Sequence, residues 1–222
     1  AKPFFDASFS CSSYDNCHVP WGNRHEGTMR HVKNNDFISG QYVWTGFDYI
    51  GEPTPYGWPA RSSYFGIVDL AGFPKDVYYM YQSEWRLDKT VLHLFPHWNW
   101  TPGQDIDLWA YYNNADEVEL FVNGKSQGIR SKGKDDFHVM WRVKYEPGTV
   151  KAVSRREGKV VAEQEIRTAG KPARIRLTPD RTAIQADGRD LSFVTVEIVD
   201  KDGILCPDAE NDVTFAVEGA GF

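Results

Sequence analysis

The sequence predicts a mixed fold, the closing β/α unit of a larger α/β barrel followed by two mainly-β sandwich units. Three observations carry this. Residues 1–87 alternate helix-like and strand-like runs around a long Gly- and Pro-rich loop, whereas from about residue 88 every apolar run has strand length. One strand and two helices cannot cover a parallel sheet on both faces, so the first segment reads as the end of a barrel whose other units are absent. The chain is also long enough, at 222 residues, for more than one unit. The boundaries fall at 1–87 for the barrel end, 88–170 for a complete sandwich and 171–222 for a truncated immunoglobulin-like sandwich.

An irregular stretch to Trp21 leads into a helix expected at 24–35, with Asn23 as N-cap and Glu26 as its capping-box partner. Gly40–Phe47 follows as a short buried strand. The loop from Asp48 to Gly66 is too long to be a plain connection, and its aromatic residues argue for ordered packing. A second helix starts at Pro74 and runs to Trp85.

Strands are expected at Val91–Phe95, Ile106–Tyr112, Glu117–Val122, Phe137–Val143, Gly148–Arg155 and Val160–Thr168. Asn123-Gly124 marks a tight hairpin, since both residue types tolerate positive φ. Lys171-Pro172 reads as a linker. Arg174–Thr178, Ala183–Ala186, Phe193–Val199 and Val213–Val217 then supply fewer strands than the seven of a full immunoglobulin-like sandwich.

Composition narrows the function classes. The net charge is −6 with Lys and Arg scattered, which speaks against nucleic acid, and no apolar run approaches a membrane span. Aromatic residues make up 14% of the chain, including eight Trp, and such faces either fill β cores or stack on sugar rings. Cys11, Cys17 and Cys206 form neither a disulfide framework nor a metal set. His18, His25, His93 and His97 lack metal-ligand spacing and read as ordinary polar residues. No metal or cofactor is expected. Both ends look cut, so the chain leaves cellular location open, with an exported bacterial parent as the expectation.

The run Gly40–Tyr49 ends an expected strand in Trp44 and then Asp48, where barrels carry active-site groups, although a core Trp and a turn Asp would read the same way. With its continuation, Gly51–Tyr56 and Ser62–Asp76, this run resembles the last β/α unit of the catalytic barrel in family 2 glycoside hydrolases, the bacterial β-galactosidase branch. Leu92–Trp100 and Ala115–Gly128 are similar to the small sandwich that follows that barrel, and the region from Lys171 to the start of a further immunoglobulin-like module.

The resemblance implies a retaining mechanism that uses two Glu carboxylates about 5–5.5 Å apart. In the family these follow the fourth and seventh barrel strands, and this chain begins after the seventh. No residue here is therefore assigned a catalytic role, Asp15, Glu26, Asp48 and Glu52 included. Trp44 is carried over as the apolar platform of the sugar subsite, with Asp48, Glu52, Trp21 and Tyr64 as further substrate-binding candidates and Trp58 at the rim. The expected partner is a β-galactoside, bound through the longer enzyme, with self-association expected from the unpaired barrel edge. The competing readings are a free-standing carbohydrate-binding sandwich presenting Trp98, Trp100 and Trp109, and a structural spacer.

Overall fold

The computed structural model describes residues 12–16 and 18–219, so Cys11 and Cys17 lie outside the described residues. Two helices, α1 (His25–Lys33) and α2 (Asp76–Trp85), precede nine strands. The strands are β1 (Leu92–Phe95), β2 (Asp105–Tyr112), β3 (Glu117–Val122), β4 (Lys125–Arg130), β5 (His138–Lys144), β6 (Thr149–Arg156), β7 (Lys159–Arg167), β8 (Arg174–Pro179) and β9 (Val194–Val199). The described chain is mostly β.

Strands β1–β7 form an antiparallel sandwich with sheet orders β1-β2-β5 and β4-β3-β6-β7. Alternation decides which side chains turn inward. Ile106, Leu108, Ala110 and Tyr112 of β2 meet Val118, Leu120 and Val122 of β3, with Trp141 of β5 and Val150 of β6, in one shared core. The β3–β4 turn places Asn123 at φ 49° and Gly124 at φ 78°, the two left-handed residues a two-residue hairpin needs. Glu157 and Gly158 repeat this between β6 and β7, at φ 51° and 74°.

The three-stranded sheet is buried on its second face as well. Phe95, Tyr111 and Phe137 pack there against Met29 of α1 and Met80 and Tyr81 of α2. His138 lies flat on Trp109, with centroids 3.6 Å apart, and its Nδ1 is 2.6 Å from Glu26 Oε1. Asn113 ties the end of α2 to the sandwich, accepting from Val91 N and donating to Ser83 O and Arg86 O.

Four expectations are corrected. The capping box on α1 does not form. The N-cap is Arg24, and the carboxylate of Asp15 accepts from the amides of His25 and Glu26 at 3.0 and 2.7 Å. With its cap supplied from ten residues upstream, Glu26 is left to pair with His138. Helix α2 begins after Pro74, because Lys75 stays extended to donate its amide to Ile67 O.

Gly40–Phe47 is not a strand. Only its end is paired, Thr45–Asp48 bonding to Phe65–Val68, while among the described residues 40–44 have no backbone partner. A strand exists only where a neighbour answers its amides and carbonyls. In the last unit Ala183–Ala186 and Val213–Val217 are irregular for the same reason, and β8 pairs with β9 alone.

Candidate functional site

The long loop is ordered by its own legs. Gly51 N bonds Arg61 O, Ser63 N bonds Tyr49 O, and Ile50 bridges Ser62. Tyr56 is buried against Tyr64 at 4.6 Å between ring centroids. At the base of the loop a side chain on Gly66 would collide with the backbone of Phe47, Asp48 and Val68, so this close crossing admits only glycine. The loop, the stretch before α1 and the start of α2 together surround a concave surface of about 1060 Å³.

All five substrate-binding candidates line this concavity: Trp21, Trp44, Asp48, Glu52 and Tyr64. They differ in what their side chains are free to do. Trp44 is 74% exposed and presents an open indole face. Its Nε1 donates to Tyr49 Oη at 3.3 Å, the two rings meet edge to face, and Tyr49 donates to Glu52 Oε2 at 3.1 Å. This chain orients the indole from behind. Trp21 is also exposed, at 64%, with no ring contact among the described residues.

Asp48 is engaged differently. Its carboxylate pairs with Lys75 Nζ at 2.8 Å and accepts from Gly66 N at 2.8 Å, while Lys75 also donates to Tyr64 O. These bonds pin the loop to the foot of α2. Asp15 is committed to the α1 amides, and Asp76 bonds His93 Nε2 at 2.7 Å. Each described acid on this wall thus has a structural partner. Among the described residues no group of three His, Cys, Asp or Glu side chains is placed to hold a metal.

Two residues outside the five substrate-binding candidates also stand on this wall. Tyr49 links Trp44 to Glu52. His25 bonds Tyr81 Oη at 3.0 Å, a contact across 56 residues that nothing local announces.

Burial lowers the pKa of His25, with Asp15 opposing and Lys75 reinforcing, and it lowers that of His97, with Asp208 opposing. As pH falls through about 6.5 the unfolded chain takes up protons that the folded chain resists, so these two groups make stability decline on acidification. Thermal unfolding between about pH 8 and pH 5 should show this decline, and it should be shallower when both histidines are replaced by Gln. Parallel curves for the two proteins would contradict the assignment.

The Trp platform expected of a free-standing sugar-binding sandwich is absent. Trp98 is fully buried, Trp109 is covered by His138 and Tyr14, and Trp100 stacks on His97 while packing on the core. No helix among the described residues is long and apolar enough to cross a membrane.

Residues 103–162 match a domain of unknown function (DUF4982), and residues 175–222 match glycoside hydrolase family 2 C-terminal domain 5. The chain is 75% identical over 221 residues to β-galactosidase BoGH2A of Bacteroides ovatus, covering 100% of this chain and 26% of that enzyme. It is 32% identical over 157 residues to a β-glucuronidase of Formosa agariphila, covering 69% of this chain and 16% of that one. The chain therefore spans about a quarter or less of these relatives.

Among solved structures, a β-glycosidase from Bacteroides vulgatus superposes with a TM-score of 0.81 at 35% identity, over 88% of this chain and 24% of its own. A glycoside hydrolase family 2 member from Bacteroides cellulosilyticus gives 0.70 at 31% identity, over 81% and 28%. Identity along the whole length, the C-terminal family match and the shared fold together show that the chain belongs to glycoside hydrolase family 2.

Proposed function

We propose that this chain is the C-terminal part of a retaining β-galactosidase and supplies one wall of its sugar pocket. The observation that carries the reading is the concavity that collects Trp44, Glu52, Trp21 and Tyr64 around an exposed, oriented indole. A flat apolar ring set among hydroxyl-bonding groups is how proteins hold the apolar face of a pyranose. Asp48 supports the wall through Lys75, and its remaining acceptor capacity is offered to a sugar hydroxyl.

Within this reading residues 1–87 close the catalytic barrel as its last β/α unit. Residues 88–170 form the sandwich that braces it, and 171–222 begin an immunoglobulin-like module. The two catalytic Glu residues lie in the part of the enzyme outside this chain. That placement is supported by the structural engagement of Asp15, Asp48 and Asp76.

The galactoside assignment rests on the 75% identity to a β-galactosidase, against 38% to a putative β-glucuronidase. The longer enzyme is expected to hydrolyse nitrophenyl β-galactoside with a kcat/KM at least about a hundredfold above that for the β-glucuronide. A preference for the glucuronide would overturn the substrate class while leaving the family standing.

A further inference from the structure

One side chain on the cavity wall has a role that the Trp44 platform does not account for. His25 opens α1, and its Nδ1 lies 3.0 Å from Tyr81 Oη, the two rings meeting edge to face at 5.6 Å. Gln41 Nε2 lies 3.4 Å from the same hydroxyl. An amide N–H can only donate, so the phenolic oxygen accepts from Gln41, and its own proton is then available to His25 Nδ1. A neutral imidazole that accepts at Nδ1 carries its hydrogen on Nε2.

Three further observations fit this arrangement. Burial favours the neutral ring, with Asp15 opposing and Lys75 reinforcing. The Tyr81 phenol is held protonated chiefly by burial, then by Asp15, with the Gln41 bond opposing. Among the described residues no hydrogen-bond partner meets His25 Nε2, and the residue lines the cavity.

We propose that His25 is a fixed-tautomer hydrogen-bond donor to one hydroxyl of the bound sugar, held in that state by Tyr81 and Gln41 as positioning residues. A neutral N–H matches a neutral hydroxyl, and rejection of an analogue lacking that oxygen follows because the donor would be left unpaired. This inference deepens the galactoside-pocket reading and rests on it.

The test is a kinetic series on the longer enzyme with nitrophenyl β-galactoside and its monodeoxy analogues. The wild type should lose about tenfold in kcat/KM with one analogue. His25→Ala should lose about as much on the parent galactoside and nothing further on that one analogue. Tyr81→Phe, which keeps the ring packing, should show a smaller loss with the same selectivity, and His25→Gln, which retains a donor, should recover much of the rate.

Equal losses from His25→Ala across the whole set, or no loss at all, would overturn the proposal and leave His25 a packing residue. A wild type inactive on the galactoside would instead overturn the substrate reading. The analogue series of whichever sugar is cleaved then decides the role of His25.

Discussion

Trp98→Ala is expected to destabilise the sandwich by about 3–5 kcal/mol, the usual cost of emptying a large aromatic site in a close-packed core. Trp98 has no exposed surface and meets Tyr145 edge to face at 5.0 Å. Its indole N–H donates to Glu146 O at 3.0 Å, and Thr168 Oγ donates to its own carbonyl at 2.8 Å. The residue therefore joins the stretch after β1, the end of β5 and the end of β7. Truncation opens a cavity and strands a carbonyl, two effects that add. Urea unfolding should show a large fall in midpoint, whereas Trp58→Ala, at a residue 82% exposed, should stay within about 0.5 kcal/mol of wild type. A loss below about 1 kcal/mol at Trp98 would mean that the core is not organised as described.

Trp44→Ala should act on catalysis and leave stability nearly unchanged. The indole is mostly exposed and contributes little to the fold, but stacking plus apolar burial against a sugar face is worth about 1–3 kcal/mol. In the longer enzyme that corresponds to a fall in kcat/KM of about 5- to 150-fold. Trp44→Phe should lose less, since it keeps an apolar face while giving up the N–H bond to Tyr49. Unchanged kinetics for Trp44→Ala would remove the platform from the sugar site.

The parts of this fold that could be read in the sequence are those whose partners are close in the chain. The Asn123-Gly124 hairpin between β3 and β4 and the pairing of β6 with β7 depend on neighbours a turn away, and these strands stand where the pattern placed them. The failures have distant causes. Asn23 and Glu26 make a plausible local cap, but Asp15 reaches the α1 amides first and releases Glu26 to His138, 112 residues on. Gly40–Phe47 has the composition of a buried strand, yet a strand is a property of a pair, and only residues 45–48 find one.

The site shows the same division. The place of Trp44 on the concavity was legible from its position after an apolar run and from the family resemblance. Tyr49 acquires its role only once the loop folds back to set it between Trp44 and Glu52. His25, dismissed for lack of metal-ligand spacing, gains its bond from Tyr81 on a different helix. Trp98 and Trp109, candidates for an exposed sugar platform, lie inside the sandwich and beneath His138, because the β1-β2-β5 sheet is covered on both faces.

This chain is proposed to shape the sugar pocket of a glycosidase whose cutting carboxylates lie elsewhere. The direct measurement is hydrolysis of nitrophenyl β-galactoside by this chain alone and by the longer enzyme at equal molar concentration. Rapid release is expected from the enzyme, and from the chain a rate indistinguishable from buffer. Turnover by the isolated chain above that background, abolished by replacing a carboxylate such as Glu52 with Gln, would contradict it.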